Sequence, residues 1–413
     1  MLKLWFVANT LLWPFNVDAG GLKLGLNVIL LTLVGTVWLL KNQRFSGYSV
    51  NVLSGLFIFL IFSYLAAITG ICTDKFLKFA LTAPVFIFLI FVGLEVGWRS
   101  TDNDWLNLQK VSQWVLLVAF AGFIIEALLP GSFPLQAGSR SEGKFSGLFA
   151  EPSHVAFSLF PSIAILLVAE SKPMRRKGIL ALVSLLLFSR SSTLIALIVV
   201  WVSYRMFAQG KFRQVLLAVP AMALIVALGA MVDYDRFVGP TLERVAGVVG
   251  ASETQNMSSL VYLQGWQDAW NNLLRTEGLG LGFNMMGCTP LPDVQARDIL
   301  SSVMHIELNS EDGSHLFGKI VSEAGIFGIL FFIVIIWWWI RIEKKFRKYG
   351  LNKTTAAISI QMALIFTFIA PAFIRSPGYF SGGFLLMIVA VSASAKWRRE
   401  CIARDVANRG GVQ

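Results

Sequence analysis

Long apolar runs follow one another along this chain, separated mostly by short polar connections. A helix needs roughly 20 apolar residues to cross a bilayer, and its backbone polar groups must find their partners inside the protein. The sequence therefore predicts an all-α polytopic integral membrane protein with about 12 transmembrane helices. The apolar runs are 2–17, 22–40, 49–70, 76–97, 108–130, 153–169, 178–189, 192–208, 213–231, 316–340, 354–374 and 378–395.

The composition supports this class, because 56% of the 413 residues are hydrophobic and only 14% are charged. Soluble domains carry about 25% charged residues. The net charge of +11 does not indicate nucleic-acid binding, because the basic residues do not form one patch. They cluster in short connections between apolar runs, as cytoplasmic loops of membrane proteins do. We therefore expect membrane lipid, and no nucleic acid, as a partner.

The basic clusters set the predicted orientation, because connections rich in Lys and Arg stay in the cytoplasm. They lie at 41–44, 172–177, 211–213, 341–348 and 396–399. Successive helices must cross the membrane in alternating directions, and this agrees with the basic clusters only when 178–208 forms a short hairpin. Both termini are then cytoplasmic. The predicted organisation is an N-terminal bundle of about nine spans over 1–231, a large periplasmic loop over 232–315, C-terminal transmembrane helices over 316–395 and a basic cytoplasmic tail over 396–413.

The large loop contains two local patterns. Ser258–Arg275 has apolar residues at helical spacing, which predicts an amphipathic helix that lies on the membrane surface or packs on its own loop. The glycines of Gly278–Gly282 allow a sharp turn or a close backbone approach. A disulfide between Cys72 and Cys288 requires both to face outward. Free thiols are the preferred prediction, because three cysteines give no disulfide framework.

Polar side chains suited to acid–base chemistry lie where two apolar runs begin on the predicted outer side. Glu151, Ser153 and His154 open one run; a helix start explains the Glu and its neighbouring Pro, but three polar groups favour a proton-handling pocket. His315 opens the run after the loop, with Glu323 two turns on. His315 is a candidate base, or alternatively an interfacial histidine held by loop carbonyls. Glu323 is a further catalytic candidate, because burial would raise the pKa of its carboxyl group.

Arginines on the predicted outer face are candidate anion-binding residues, because the positive-inside bias depletes that face. Arg190, followed by Ser191, lies between two apolar half-runs, where a cation is costly and usually functional. Arg375 lies between the last two runs, and Arg244 and Arg275 lie in the loop. Arginine binds phosphate with two parallel hydrogen bonds and stays charged. The set is therefore predicted to bind an anionic lipid phosphate.

Four short segments follow one another in order: 145–154 (FSGLFAEPSH), the turn 189–192 (SRSS), 278–282 (GLGLG) and 313–328, which ends EAGIFG. Together with the large outer loop, they resemble the bacterial O-antigen polymerase (Wzy) and O-antigen ligase superfamily. The resemblance covers about residues 145–328 and the helix count. It implies an enzyme whose outer-face arginines, with Arg190 in the Ser-Arg turn, hold an undecaprenyl pyrophosphate.

The resemblance also implies a histidine base at the end of the loop. That position falls on Ser314, next to His315, so Glu151 and His154 are alternative bases. An arginine typical of the loop helix falls near Tyr262, and Arg244 or Arg275 would have to substitute for it.

The resemblance implies a polymerase of the bacterial inner membrane that joins undecaprenyl-pyrophosphate-linked oligosaccharide units into surface polysaccharide on the periplasmic face. The alternatives are a ligase that transfers glycan to lipid A–core, and a transporter of polysaccharide or lipid carrier. A chain-length regulator and a flippase would be protein partners. We predict no metal and no cofactor, because the Asp-x-Asp triplets at 102–104 and 233–235 are a pattern that is common by chance.

Overall fold

A computed structural model describes most of the chain, and all structural statements concern the described residues. These are 1–13, 15–19, 22–66, 75–129, 146–149, 151–189, 191–208, 257–304, 310–347, 353–375 and 378–410. Within them the fold is helical apart from one short β hairpin. Several predicted features lie outside the described residues, namely the run 213–231, Arg190, Arg244 and the loop segments 232–256 and 305–309.

The N-terminal part differs from the predicted pair of long helices. Its elements are α1 (Leu2–Val7) with a π-helical turn (Ala8–Leu12), the antiparallel strands β1 (Asn16–Ala19) and β2 (Leu22–Gly25), α2 (Leu26–Lys41) and α3 (Gly47–Ala66). The prediction of one helix reaching residue 17 is therefore wrong. Pro14 has no backbone N–H with which to continue a helix.

The remaining helices occupy predicted apolar runs or the large loop. They are α4 (Phe76–Arg99), α5 (Asp102–Leu128), α6 (Pro152–Leu167), α7 (Lys172–Ser189), α8 (Ser192–Ala208), α9 (Met257–Arg275), α10 (Gln295–Met304), α11 (Leu316–Arg347), α12 (Lys353–Ile374) and α13 (Gly382–Gly410). Two differences concern the ends of helices. Asp104 of the first Asp-x-Asp triplet forms a capping box with Thr101 at the start of α5. Helix α13 continues through most of the predicted C-terminal tail.

Four of the described helices are long and apolar enough to cross a membrane. These segments are Phe76–Arg99, Asp102–Leu128, Leu316–Phe346 and Ala356–Ile374. Shorter apolar helices pack among them: α6 is largely buried and packs against α5, α7, α8 and α12. Helix α13 packs along α4 and α12. The protein is therefore a helical membrane protein.

Helix α11 is broken at Gly325, which has a left-handed backbone conformation (φ 57°). In an unbroken helix, the carbonyls of Ser322 and Glu323 would accept from N–H groups four residues later. Here they accept from the N–H groups of Leu281 and Gly282, at 3.0 and 2.9 Å. The glycine-rich run of the loop thus inserts its backbone into the break, and this contact fixes the loop to the membrane helix.

Candidate functional site

A cluster of polar side chains, two of them open to solvent, lies where α6 begins and α12 ends, and we call it the rim cluster. It consists of Glu151, Ser153, His154 and Arg375. A guanidinium nitrogen (Nη2) of Arg375 lies 3.0 Å from Oε2 of Glu151, and the Ser153 hydroxyl donates to the same oxygen at 2.9 Å. The side chains of Arg375 and Glu151 are 41% and 49% exposed. Two residues that the sequence analysis assigned to different roles, base and phosphate ligand, therefore form an ion pair that solvent can reach.

The local chain explains how the rim cluster is positioned. Glu126 of α5 accepts hydrogen bonds from the backbone N–H groups of Ser146 and Gly147, at 3.0 and 2.6 Å, and so holds the segment before Glu151. Glu151 is the N-cap residue of α6, where a carboxylate suits the positive end of the helix dipole. Arg375 directly follows α12, where its basic side chain suits the negative end.

The electrostatics of the rim cluster keep Glu151 ionised. Burial on its own would raise the pKa of Glu151, but the charge of Arg375, the neighbouring His154 and the Ser153 hydroxyl outweigh it. The net pKa of Glu151 lies below its ordinary value. The His154 ring lies 5.3 Å from that of Trp13, and its buried Nδ1 is hydrogen-bonded to no described residue. The cluster therefore combines a carboxylate, an imidazole and a cation.

His315 occupies a different environment, because it is fully buried beneath α9. Its Nδ1 accepts the backbone N–H of Gly318 at 2.9 Å, which leaves the proton of a neutral ring on Nε2. The rings of Tyr262 and Trp266 cover it, with centroids 5.1 and 4.7 Å away. Burial lowers the pKa of His315 to about 4. In this arrangement the imidazole has neither solvent access nor an open lone pair.

Tyr262 connects the loop helix to the rim cluster. Its hydroxyl donates to the carbonyl of Phe373, 3.0 Å away and two residues before Arg375. Gly265, one turn further along α9, lies so close to the chain before α11 that a Cβ would fall 2.3 Å from the Gly313 carbonyl oxygen. Helix α9 is therefore seated on the start of α11 and the end of α12, as a cover beside the rim cluster.

Glu323 belongs to a second, buried polar cluster, which we call the Glu323 cluster. Its carboxylate accepts the backbone N–H groups of Asn284 and Met286, at 2.7 and 3.0 Å, and the Tyr379 hydroxyl at 2.6 Å. The ammonium of Lys319 lies 3.8 Å away, and the side chains of Glu323 and Lys319 are 0% and 5% exposed. The described contacts bring Glu323 to the loop backbone and not to the rim cluster.

Arg275 is also separated from the rim cluster. It ends α9, and 13 residues of helix put about 20 Å between it and Tyr262. Its guanidinium donates to the Pro290 carbonyl at 2.6 Å, and burial lowers its pKa. Near it, Nη2 of Arg297 lies 2.5 Å from Oδ1 of buried Asp268. Burial raises the pKa of Asp268. These residues form a polar core within the loop.

Cys288 is disulfide-bonded, so the prediction of free thiols is wrong for this residue. Cys72, the partner considered in the sequence analysis, lies outside the described residues, and Cys401 keeps its thiol. Disulfides persist in oxidising compartments such as the bacterial periplasm.

The predicted phosphate ligands have different outcomes. Arg190 and Arg244 lie outside the described residues. Ser191 is buried at the start of α8, where its hydroxyl accepts the Leu194 N–H at 3.4 Å, as a helix cap does. Arg375 is the predicted arginine that lies in the rim cluster.

Two residues that position these clusters had been missed, Glu126 and Lys319. The sequence signal for both was a charged residue inside an apolar run.

Chemically, the rim cluster can bind an anion at Arg375 and accept a proton at Glu151 or His154. The chain matches no known family model, no curated protein and no solved structure.

Proposed function

We propose that this protein is a membrane glycosyltransferase that polymerises lipid-linked oligosaccharide units on the outer face of the membrane. The observation that carries the proposal is the solvent-accessible pair of Glu151 and Arg375 at the end of a candidate membrane span. A carrier lipid keeps its pyrophosphate at the membrane interface, so its ligands are expected at a helix end. The resemblance to the O-antigen polymerase superfamily supports the same function.

In this proposal Arg375 binds the donor pyrophosphate. Arginine presents two parallel donors to phosphate oxygens and keeps its charge at all physiological pH values. Its partner Glu151 is half exposed, so the incoming phosphate can compete for the guanidinium without desolvating a buried acid. Arg190 and Arg244 are the further predicted ligands, whereas Arg275 is bound within the loop.

The proposed reaction is a glycosyl transfer. An acceptor hydroxyl loses its proton to Glu151, and its oxygen forms a bond to the anomeric carbon of the donor glycan. The bond from that carbon to the pyrophosphate oxygen breaks, and undecaprenyl pyrophosphate leaves. Developing charge on the leaving group is stabilised by Arg375. His154 is the alternative base, and buried His315 is assigned a positioning role beneath α9.

The face of the membrane is part of the proposal. The Cys288 disulfide favours an oxidising compartment for the loop, and the basic connections favour the cytoplasm for the opposite face. Both termini would then be cytoplasmic, and the bacterial inner membrane would hold the protein. A reporter that works only in the cytoplasm can be fused within 257–304. If this reporter is active, the proposed orientation is wrong.

The function is tested in a strain that lacks the gene and carries wild-type or variant protein. Glu151→Gln and Arg375→Gln are each expected to lower polymerisation by about 100-fold, which leaves glycans of single repeat units at wild-type protein levels. The matched control is Glu170→Gln, which removes an exposed carboxylate beyond the other end of α6. It should leave glycan length unchanged.

Other outcomes of the same experiment identify the alternatives. Full-length glycan that remains on its carrier, with none attached to lipid A–core, would indicate a ligase. Repeat units trapped on the cytoplasmic side would indicate a transporter. Normal glycan length in both Glu151→Gln and Arg375→Gln would exclude the rim cluster as the catalytic site.

A further inference from the structure

A basic cavity lies at the end of α4 that is farther from the loop. Helix α4 has 24 residues and is about 36 Å long. At the start of this helix, Lys75 and Lys78 form ion pairs with Glu311 of the loop. Arg99, its last residue, is therefore at the opposite membrane face. There an open cavity of about 350 Å³ is lined by Lys41, Asn42, Gln43, Arg44 and Arg99. The lining contains three cations and no carboxylate.

Arg99 is held in place by a buried acid. Glu95, which is 0% exposed, accepts the Arg99 Nε–H at 3.0 Å with one oxygen. Its other oxygen accepts the backbone N–H and the hydroxyl of Ser46, both at 2.7 Å. Arg99 Nη1 also donates to Asn42 at 3.1 Å, and its guanidinium lies 5.3 Å from the Trp38 ring. These bonds use Nε and Nη1, so Nη2 is left for a ligand in the cavity.

An apolar surface leads to the cavity along α2. Leu33, Val37 and Leu40 recur at helical spacing and are 63%, 54% and 72% exposed. Lys41 follows directly at the cavity wall. An anion bound here would therefore have a ready path for attached acyl chains, which a free anion does not need.

We propose that this cavity binds the phosphate of an anionic phospholipid in the leaflet opposite the rim cluster. The headgroup would lie among Lys41, Arg44 and Arg99, with its acyl chains along α2. A residue that only directs topology needs a charge and nothing more. A guanidinium fixed by a buried carboxylate beside a cavity provides the defined geometry that phosphate recognition uses. The cavity volume falls within the usual range for ligand sites, about 300–1,000 Å³.

The test measures binding of lipid to the purified full chain by native mass spectrometry and by thermal midpoint in detergent. Phosphatidylglycerol is expected to bind and to raise the midpoint, whereas phosphatidylcholine is not. Each cation lost from the cavity is expected to weaken phosphatidylglycerol binding by about fivefold, so K41Q/R44Q should bind it about 25-fold more weakly. Arg99 is left unchanged, because its removal would leave Glu95 buried and unpaired.

The matched control is R175Q/R176Q, which removes two exposed cations from the start of α7. It should bind phosphatidylglycerol like the wild type. Equal losses in the two double variants, or no loss in K41Q/R44Q, would overturn the proposal. Inorganic phosphate that binds as tightly as phosphatidylglycerol, and depends on Lys41 and Arg44, would overturn the lipid assignment in favour of a free phosphate.

Discussion

The rim cluster and the Glu323 cluster contain nearly the same chemical groups in opposite environments. Each has a carboxylate, a cation and a hydroxyl: Glu151 with Arg375 and Ser153, and Glu323 with Lys319 and Tyr379. Glu323 is buried and receives two backbone N–H groups in addition. Glu151 is half exposed. A carboxylate that the protein itself satisfies has no capacity left for a substrate, whereas a half-exposed one does.

This difference predicts that the two clusters contribute to different quantities. Buried and fully bonded groups contribute mainly to stability, because removing one leaves its partners unsatisfied. Exposed ion pairs contribute only about 0–1 kcal/mol to stability. We therefore expect Glu323 variants to unfold and rim-cluster variants to fold normally and lose activity.

The largest expected effect on stability is that of Glu323→Ala. The substitution leaves two backbone N–H groups and the Tyr379 hydroxyl buried without their acceptor. It also removes the negative charge that pairs with buried Lys319 and one of the ties between the loop and α11. Loss of one partner of a buried ion pair costs about 3–5 kcal/mol. We expect little folded protein, or a strongly lowered midpoint in a thermal unfolding assay in detergent.

The matched comparison is Glu151→Ala, which removes the same side chain from the exposed cluster. Its free energy of unfolding should stay within about 1 kcal/mol of the wild type. If Glu151→Ala were as unstable as Glu323→Ala, the proposed separation between a structural and a functional cluster would be wrong.

The pH dependence of stability distinguishes a buried His315 from an accessible one. Its pKa of about 4 in the folded protein is below the ordinary value of 6.5, so the unfolded chain binds more protons between these values. Stability therefore falls as the pH is lowered through that window. Between pH 7 and pH 5 the loss from this residue is about 2 kcal/mol.

His315→Asn should remove this part of the pH dependence, because asparagine can accept the Gly318 N–H and does not titrate. The measurement is the thermal midpoint of both proteins at pH 7 and pH 5, where most carboxyl groups stay ionised. Glycan polymerisation by the same variant gives a second readout. A flat wild-type profile, or a 100-fold loss of activity in a stable variant, would instead support His315 as an exposed base.

Much of the architecture follows from short-range sequence patterns. Apolar length places the candidate spans, and helical spacing places α9 close to its predicted bounds. Glu151 and Arg375 were also identifiable one at a time, because each is a charged residue at the end of an apolar run. Their pairing was not, because the two residues are 224 positions apart and only the packing of α6 on α12 brings them together.

Long-range backbone contacts explain what the sequence did not reveal. Glu323 looked like a catalytic acid, yet its partners at Asn284 and Tyr379 lie 39 and 56 residues away. Helix α9 was predicted from its apolar residues, but Asp268 and Asn272 face inward while Trp270 and Leu274 are exposed. Inward polar groups find partners such as Arg297 in α10, which periodicity alone does not indicate.

The smallest effect tests the connection between the two regions. Tyr262→Phe removes only the hydroxyl that bonds the Phe373 carbonyl, so it weakens the seating of α9 beside Arg375 without emptying space around His315. One such hydrogen bond contributes about 1 kcal/mol, or about fivefold in the opening equilibrium. Hydrogen exchange of 257–275 should accelerate accordingly, while Tyr48→Phe in α3 should leave it unchanged. If exchange in α9 does not change, the helix is held by its packing on Gly313 and α11, and Tyr262 does not link the cover to the rim cluster.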